Sequence, residues 1–270
     1  MSPAHAPVCG FVGLGSQGAP IARRMLAAGF PMRLWARRRE TLEPFEATLA
    51  VLTADLHEVA SQVKHLGLCV IDDAAVLEVC EQALPSMVRG ARIVIHSTTL
   101  PQTCRTIAIM AERFGVAVLE APVSGGAPAA EAGTLTVMTA GPREVLQAAR
   151  PMLEAFSGTI LHLGGYGAAQ SAKLINNTLL AAHMAMADQA LAAGVELGID
   201  RAVLAGLLRE SSGRSFGLEV LARQTSLAAF PNARSLAEKA LLLAQSLEPD
   251  SRAASGLVQA VASGFGDVRT

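Results

Sequence analysis

Up to residue 163 the chain alternates short apolar runs with stretches of helical period, and beyond it that alternation stops. Val8 to Val12 (VCGFV) is a compact apolar run suited to a strand covered on both faces. Ala19 to Ala28 follows at helical spacing, with Ile21, Met25 and Ala28 on one face and Gly29 as the stop. Met32 to Ala36 (MRLWA), His65 to Ile71 (HLGLCVI), Ala91 to His96 (ARIVIH) and Val116 to Leu119 repeat the strand pattern. Helices are expected between them at Ala74 to Leu84 and at 102–113. Thr134 to Thr139 and Thr159 to Leu163 read as two later strands. Such alternation builds an α/β fold, a Rossmann-type doubly wound parallel sheet with some later additions.

From about Ala168 long alanine- and leucine-rich helical runs take over and no strand pattern returns. The expected division is therefore a Rossmann-type domain at 1–163 and an all-α domain at 164–270. The run 168–197 is apolar enough to suggest a membrane span, but Lys173, Asn176, Asn177, His183 and Asp188 interrupt it. A long helix buried between domains or subunits is expected there instead.

Composition narrows the function classes. With 270 residues, 51% apolar and 17% charged, the chain can bury a sizeable core and reads as globular. A formal net charge of −1 leaves no electrostatic footprint for nucleic acid or an anionic membrane, and one Trp and one Tyr leave no stacking platform. The opening MSPAHAP lacks the basic and apolar blocks of a signal peptide. Cys9, Cys69, Cys80 and Cys104 form no CxxC pair, so reduced thiols in a cytoplasmic protein are expected, with no metal site.

The stretch FVGLGSQGAP then supplies chemistry. Gly13, Gly15 and Gly18 stand at G-x-G-x-x-G spacing between an expected strand and an expected helix, which is the context a dinucleotide needs. Gly13 permits the turn, Gly15 lets backbone approach a pyrophosphate, and Gly18 lets helix and strand pack closely. Leu14, Ser16 and Gln17 complete the loop, and the helix start offers free N–H groups to phosphates. After the second strand, where an acid usually meets the ribose of NAD, stand Arg37, Arg38 and Arg39, with Glu40 only after them. Guanidinium groups there suit a 2′-phosphate, so NADP is favoured and NAD stays possible; a solvated basic loop is the alternative. Val70 and Ile71, closing HLGLCVI, are further cofactor-side candidates. His96 is weighed as a spectator near the cofactor, and Asp72-Asp73 as a helix start.

Four motifs, taken in order, resemble the β-hydroxyacid dehydrogenases, the family of 3-hydroxyisobutyrate dehydrogenase and the semialdehyde reductases. GFVGLGSQGAPIARRM (10–25) is similar to the family's cofactor loop, EAPVSGGAPAAEAGTLT (120–136) to its substrate loop, and GGYGAAQSAKLINN (164–177) to its catalytic stretch; Lys239 matches a cofactor-contacting lysine. The resemblance implies that Ser124, Gly125 and Gly126 bind a substrate carboxylate, Lys173 is the acid/base, Asn177 helps hold the substrate, and Thr98 lies beside the cofactor. It also implies a homodimer or homotetramer. The residues agree on their own terms: a hydroxyl and bare N–H groups after a strand's carboxyl end suit an anion. Lys173 and Asn177, at i and i+4, share a helix face, and a lysine in so apolar a helix is costly unless its head reaches a cleft or a partner.

Departures from the pattern are Gln17 for Met, Ile95-His96 for Asp-Met, Ala169 for Gly, Ala240 for Asp, and a shorter C-terminus. The expected activity is NAD(P)-dependent hydride transfer on a small 3-hydroxy acid, or the matching aldehyde or keto acid. An imine or ketone reductase without a carboxylate requirement and a non-catalytic NADP-binding protein are the alternatives. Side chains around SSGRSFGLE (211–219) could line the pocket in several ways.

Overall fold

The computed structural model describes residues 7–224, 226–227, 236–239, 242–243, 246 and 252–265. The chain divides into two compact units, Met1–Lys173 and Leu174–Thr270.

The first unit is built on a six-stranded parallel sheet in the order β3-β2-β1-β4-β5-β6. Its strands are β1 (Cys9–Val12), β2 (Met32–Trp35), β3 (Val51–Thr53), β4 (His65–Leu68), β5 (Arg92–Ile95) and β6 (Ala117–Glu120). This is the doubly wound arrangement, with the strand order reversing between β1 and β4. Alternate residues of each strand enter opposite layers. Cys9, Phe11, Met32, Leu34, Val94 and Leu119 pack under helices α1 (Gly18–Ala27), α5 (Gly126–Ala132) and α6 (Arg143–Glu154). Val12, Leu66, Leu68, Ile93, Ile95 and Val118 meet α2 (Leu56–Gln62), α3 (Asp73–Ala83) and α4 (Pro101–Glu112) on the other side.

Local sequence explains the helix ends. Ile21 and Met25 are buried as expected, but Ala28 is exposed at the end of α1, because Gly29 at φ +87° turns the chain away and the Phe30 N–H closes on the Met25 carbonyl at 3.2 Å. Asp72 caps α3 by accepting from the Ala75 N–H at 2.8 Å, so the acidic pair is a helix start. Neither β3 nor α2 is visible in the hydrophobic pattern. β3 is a three-residue edge strand with Val51 exposed, and α2 starts on Asp55, whose side chain accepts from the His57 N–H.

The two later strands do not extend the main sheet. β8 (Leu135–Thr139) and β9 (Ser157–His162) pair in parallel, and β8 pairs antiparallel with β7 (Val123–Ser124), giving a separate three-stranded sheet. One bridge, Glu120 to Ala140, ties it to β6. β7 lies inside what the sequence suggested to be only a loop; two residues carry no period to read.

The second unit is helical. α7 (Ala168–Glu196) starts in the first unit and runs through the second, followed by α8 (Arg201–Glu210), α9 (Phe216–Leu221) and a last helix, Arg252–Phe265. Ala181, Met184, Ala185 and Leu191 of α7 form a core with Ala205, Leu218, Leu221, Leu227 and Val261. Gly217 brings α9 onto α7: a Cβ there would lie 2.9 Å from the Met184 nitrogen. Asp188 pairs with Arg201 at 3.2 Å and fixes α8 beside α7.

Candidate active site

The glycine loop lies at the carboxyl edge of the sheet, between β1 and α1. Gly13 takes φ +92° and presses on β4: a Cβ would fall 2.2 Å from the Cys69 carbonyl oxygen. At Gly18 a Cβ would fall 1.8 Å from the Gly13 oxygen, so α1 can sit this close only without one. Gly15 has open space around it, and it and Ser16 are exposed. Gln17, the residue before α1, makes no side-chain cap; the Ala19 N–H returns to the Gly15 carbonyl at 3.0 Å, and Pro20 carries no N–H. An exposed glycine loop leading into a helix start without a side-chain cap fits a pyrophosphate.

Leu14 is buried in the core while its backbone forms the turn. Arg37 and Arg38 stand just beyond β2, whose Trp35 is in register with Val12. Both are exposed; Arg37 pairs with Glu78 of α3 at 2.7 Å. Val70 follows β4 and donates its N–H to the Ser97 hydroxyl at 2.8 Å, which joins the exits of β4 and β5, whereas Ile71 is 84% exposed. Thr98, the residue after Ser97, is half-buried.

The Ser124-Gly125-Gly126 stretch ends β7. Ser124 is half-buried; Gly125 and Gly126 are exposed at φ +128° and +69°, and α5 begins there without a side-chain cap. A Cβ on Gly125 would lie 2.5 Å from that of Ala129, so the loop can approach α5 this closely only with a glycine there.

Lys173 is only 9% exposed, on the second turn of α7. Three residues earlier Gln170, fully buried, donates to the Ser97 carbonyl at 2.9 Å and accepts from the Thr99 N–H at 3.0 Å. Residues i and i+3 share a helix face, so Lys173 stands on the side of α7 that faces the β5 exit. Asn177, 6% exposed, continues that face one turn on, in the second unit. Lys239 is half-buried in a helical stretch, 236–239, of the second unit; Ala240 lies outside the described residues. Ala169 is fully buried in the first turn of α7.

Two buried side chains that organise this region carried no role in the sequence reading. Glu120, the last residue of β6, is fully buried and accepts backbone N–H groups from Gly167 and, at 3.2 Å, Gln170. Burial raises its carboxyl above the usual range, and these hydrogen bonds pull it back in part. An acid closing an apolar strand was the available signal, since a buried carboxylate requires partners. Gln170 gave no signal of its own.

His96, the residue after β5, turns its ring into the core. Its ring stacks on Phe11 at 5.8 Å and meets Phe156 edge-on at 5.5 Å, and Nδ1 lies 3.0 Å from the Ala121 carbonyl oxygen. Burial pushes its pKa down to about 4, while the Ala121 carbonyl acts weakly the other way. None of the four cysteines is in a disulfide, and burial raises the Cys9, Cys80 and Cys104 thiols to about 12. Among the described residues no group of three or more His, Cys, Asp or Glu could hold a metal, and no helix is long and apolar enough to cross a membrane.

Known proteins share this fold. Residues 8–164 match the family profile described as the NAD binding domain of 6-phosphogluconate dehydrogenase, and residues 167–263 that described as the NAD-binding of NADP-dependent 3-hydroxyisobutyrate dehydrogenase. The chain belongs to the β-hydroxyacid dehydrogenase family. Among relatives of this family, the NAD-dependent L-serine dehydrogenase of Pseudomonas aeruginosa is 36% identical over 228 residues, which cover 78% of this chain and 72% of the relative. The 3-hydroxyisobutyrate dehydrogenase of the same organism is 36% identical over 217 residues, with the same shares of the two chains. The solved structure of Psf3 in complex with NADP+ and 2-OPP superposes with a TM-score of 0.83 at 26% identity, covering 93% of this chain and 92% of that one.

As a β-hydroxyacid dehydrogenase the chain is an NAD(P)-binding oxidoreductase. The relatives' names carry both NAD and NADP, so membership leaves the choice of cofactor to local residues.

Proposed function

We propose that this protein is an NADP-dependent oxidoreductase acting on a small 3-hydroxy acid or its aldehyde or keto acid, with Lys173 as general acid/base. The observation that carries the reading is the placement of Lys173. It is a nearly buried ammonium on an apolar helix, on the face that Gln170 holds against the Ser97–Thr99 stretch.

When bound, the nicotinamide supplies or accepts the hydride. In reduction Lys173 gives a proton to the substrate oxygen, and in oxidation it takes the hydroxyl proton. Ser124 and the N–H groups of Gly125 and Gly126 hold the carboxylate and orient the reacting carbon. Asn177 assists in holding the substrate. Gly13 to Gly18, with the start of α1, receive the pyrophosphate. Arg37 and Arg38 meet the 2′-phosphate; Val70, Ile71, Thr98 and Lys239 complete the cofactor's surroundings. The protein works in the cytoplasm as a homodimer or homotetramer joined through its helical unit.

The experiment compares free acids with their methyl esters, for example 3-hydroxyisobutyrate. A carboxylate gains charge-assisted hydrogen bonds that an ester lacks, about 1.5–3 kcal/mol, so the acid should lead by roughly ten- to a hundred-fold in kcat/KM. An ester turned over as well as its acid would leave an imine or ketone reductase in place of the hydroxyacid enzyme.

A further inference from the structure

We propose that Glu120 and Gln170 are positioning residues for the reaction, locking the first turn of α7, and with it Lys173, to the exits of β5 and β6. The proposal rests on the reading of Lys173 as the acid/base.

A helix start leaves several N–H groups without partners, and an Asp, Ser, Thr or Asn just before the helix usually serves them. α7 has no such residue: Tyr166 and Gly167 precede it. The cap comes instead from Glu120, 47 residues earlier in the chain, whose two carboxylate oxygens take the N–H groups of Gly167 and Gln170. A negative charge at the positive end of a 29-residue helix is favourable, and its burial keeps the hydrogen bonds unscreened. The helix start is thereby anchored to β6 as well as to its own loop, where the Ala168 N–H reaches the Gly165 carbonyl at 3.2 Å. The loop is braced as well: the Tyr166 hydroxyl donates to the Val118 carbonyl at 3.0 Å, and Arg105 Nε donates to the Tyr166 carbonyl at 3.2 Å.

Gln170 makes the second anchor. Its amide nitrogen and oxygen hold the Ser97 carbonyl and the Thr99 N–H, the two neighbours of Thr98. Only a side chain that both donates and accepts can bind this pair. Lys173 follows on the same face. Ser124, proposed to hold the carboxylate, lies four positions beyond Glu120 along the exit of β6. One clamp therefore references the ammonium to both the cofactor side and the substrate side, and displacement by about 1 Å can cost on the order of a hundred-fold in rate.

The test uses the full chain with Glu120→Gln, Gln170→Met, Lys173→Ala and the double variant Glu120→Gln/Lys173→Ala. Oxidation of 3-hydroxyisobutyrate with NADP+ is measured per bound NADPH, across pH, alongside hydrogen–deuterium exchange of the 164–173 segment. The clamp predicts faster exchange in that segment for both single positioning variants. It also predicts kcat lower by roughly ten- to a hundred-fold with a shifted pH profile, NADPH affinity kept, and a double variant no slower than Lys173→Ala. Unchanged exchange, or losses that multiply in the double variant, would overturn it. Full kcat in both positioning variants beside an inactive Lys173→Ala would overturn the clamp alone. An active Lys173→Ala would instead sink the acid/base reading, and the clamp's catalytic role with it. If Glu120→Gln does not fold, Gln170→Met decides by the same readings.

Discussion

Arg37 and Arg38 are neighbours in different electrostatic settings. Arg37 is held by Glu78, 41 residues away, whereas Arg38 makes no ion pair among the described residues. The arginine run is plain in the sequence; the competing carboxylate is not, because only the fold brings α3 beside the end of β2. An exposed pair contributes at most about 1 kcal/mol, so a phosphate can displace Glu78, at some loss. Calorimetric titration should therefore show NADPH binding more tightly than NADH. Arg38→Ala should erode that preference more than Arg37→Ala, and Glu78→Gln should tighten NADPH by up to roughly five-fold while leaving NADH unchanged. Equal affinity for the two cofactors in the parent protein would refute the arginine assignment. Two histidines give a second contrast. His65 and His96 carry three ring nitrogens without a partner, all buried in the sheet's core, and neither residue type nor spacing announced that.

At the scale of elements, α7 was the most legible, since its expected range of 168–197 and its observed range, Ala168–Glu196, nearly coincide. Long apolar runs have enough turns for the pattern to emerge, while β3 and β7, with three and two residues, have none. The start of α7 was illegible for a different reason: its cap comes from another strand. The helix also bears on the proposed assembly. Ile175, Leu179 and Met186 are about half exposed along it, with Val203 and Leu207 exposed on α8. Exposed apolar rows of this kind are costly in water and suit a self-complementary contact. Light scattering at micromolar concentration should return at least twice the 28.0 kDa chain mass. Ile175→Glu with Leu179→Glu should shift it toward the monomer. A monomer in the parent protein would rule out the assembly.

For the whole molecule, the sequence carried the doubly wound sheet and the order of the parts, because each depends on local period. It did not separate the small sheet of β7, β8 and β9, whose pairings are set by the path of the chain around α5 and α6. Stability against pH is also a property of the whole. His65 and His96 titrate near 6.5 when unfolded, and burial holds both lower in the fold, with the neighbouring His96 and Arg92 adding to the effect on His65. The folded state thus binds fewer protons, so their contribution is full above about pH 6.5 and is lost as pH falls. His96 alone, shifted to about 4, accounts for on the order of 3 kcal/mol once fully titrated. Glu120, raised by burial, acts with the opposite sign, its contribution falling as pH rises through its elevated pKa. Thermal unfolding should show the melting temperature dropping between pH 7 and pH 4, roughly the window of the histidine shifts. His65→Leu should flatten that drop by removing two unpartnered nitrogens; an unchanged slope would show that His65 does not titrate on unfolding.

The central claim is that Lys173 moves the proton. Its most direct test is the Lys173→Ala variant, with NADPH affinity and steady-state turnover measured on the same preparation. The account predicts parental NADPH affinity and turnover lower by about 10²–10⁴-fold. Turnover above roughly a tenth of the parent's, against that range, would contradict it.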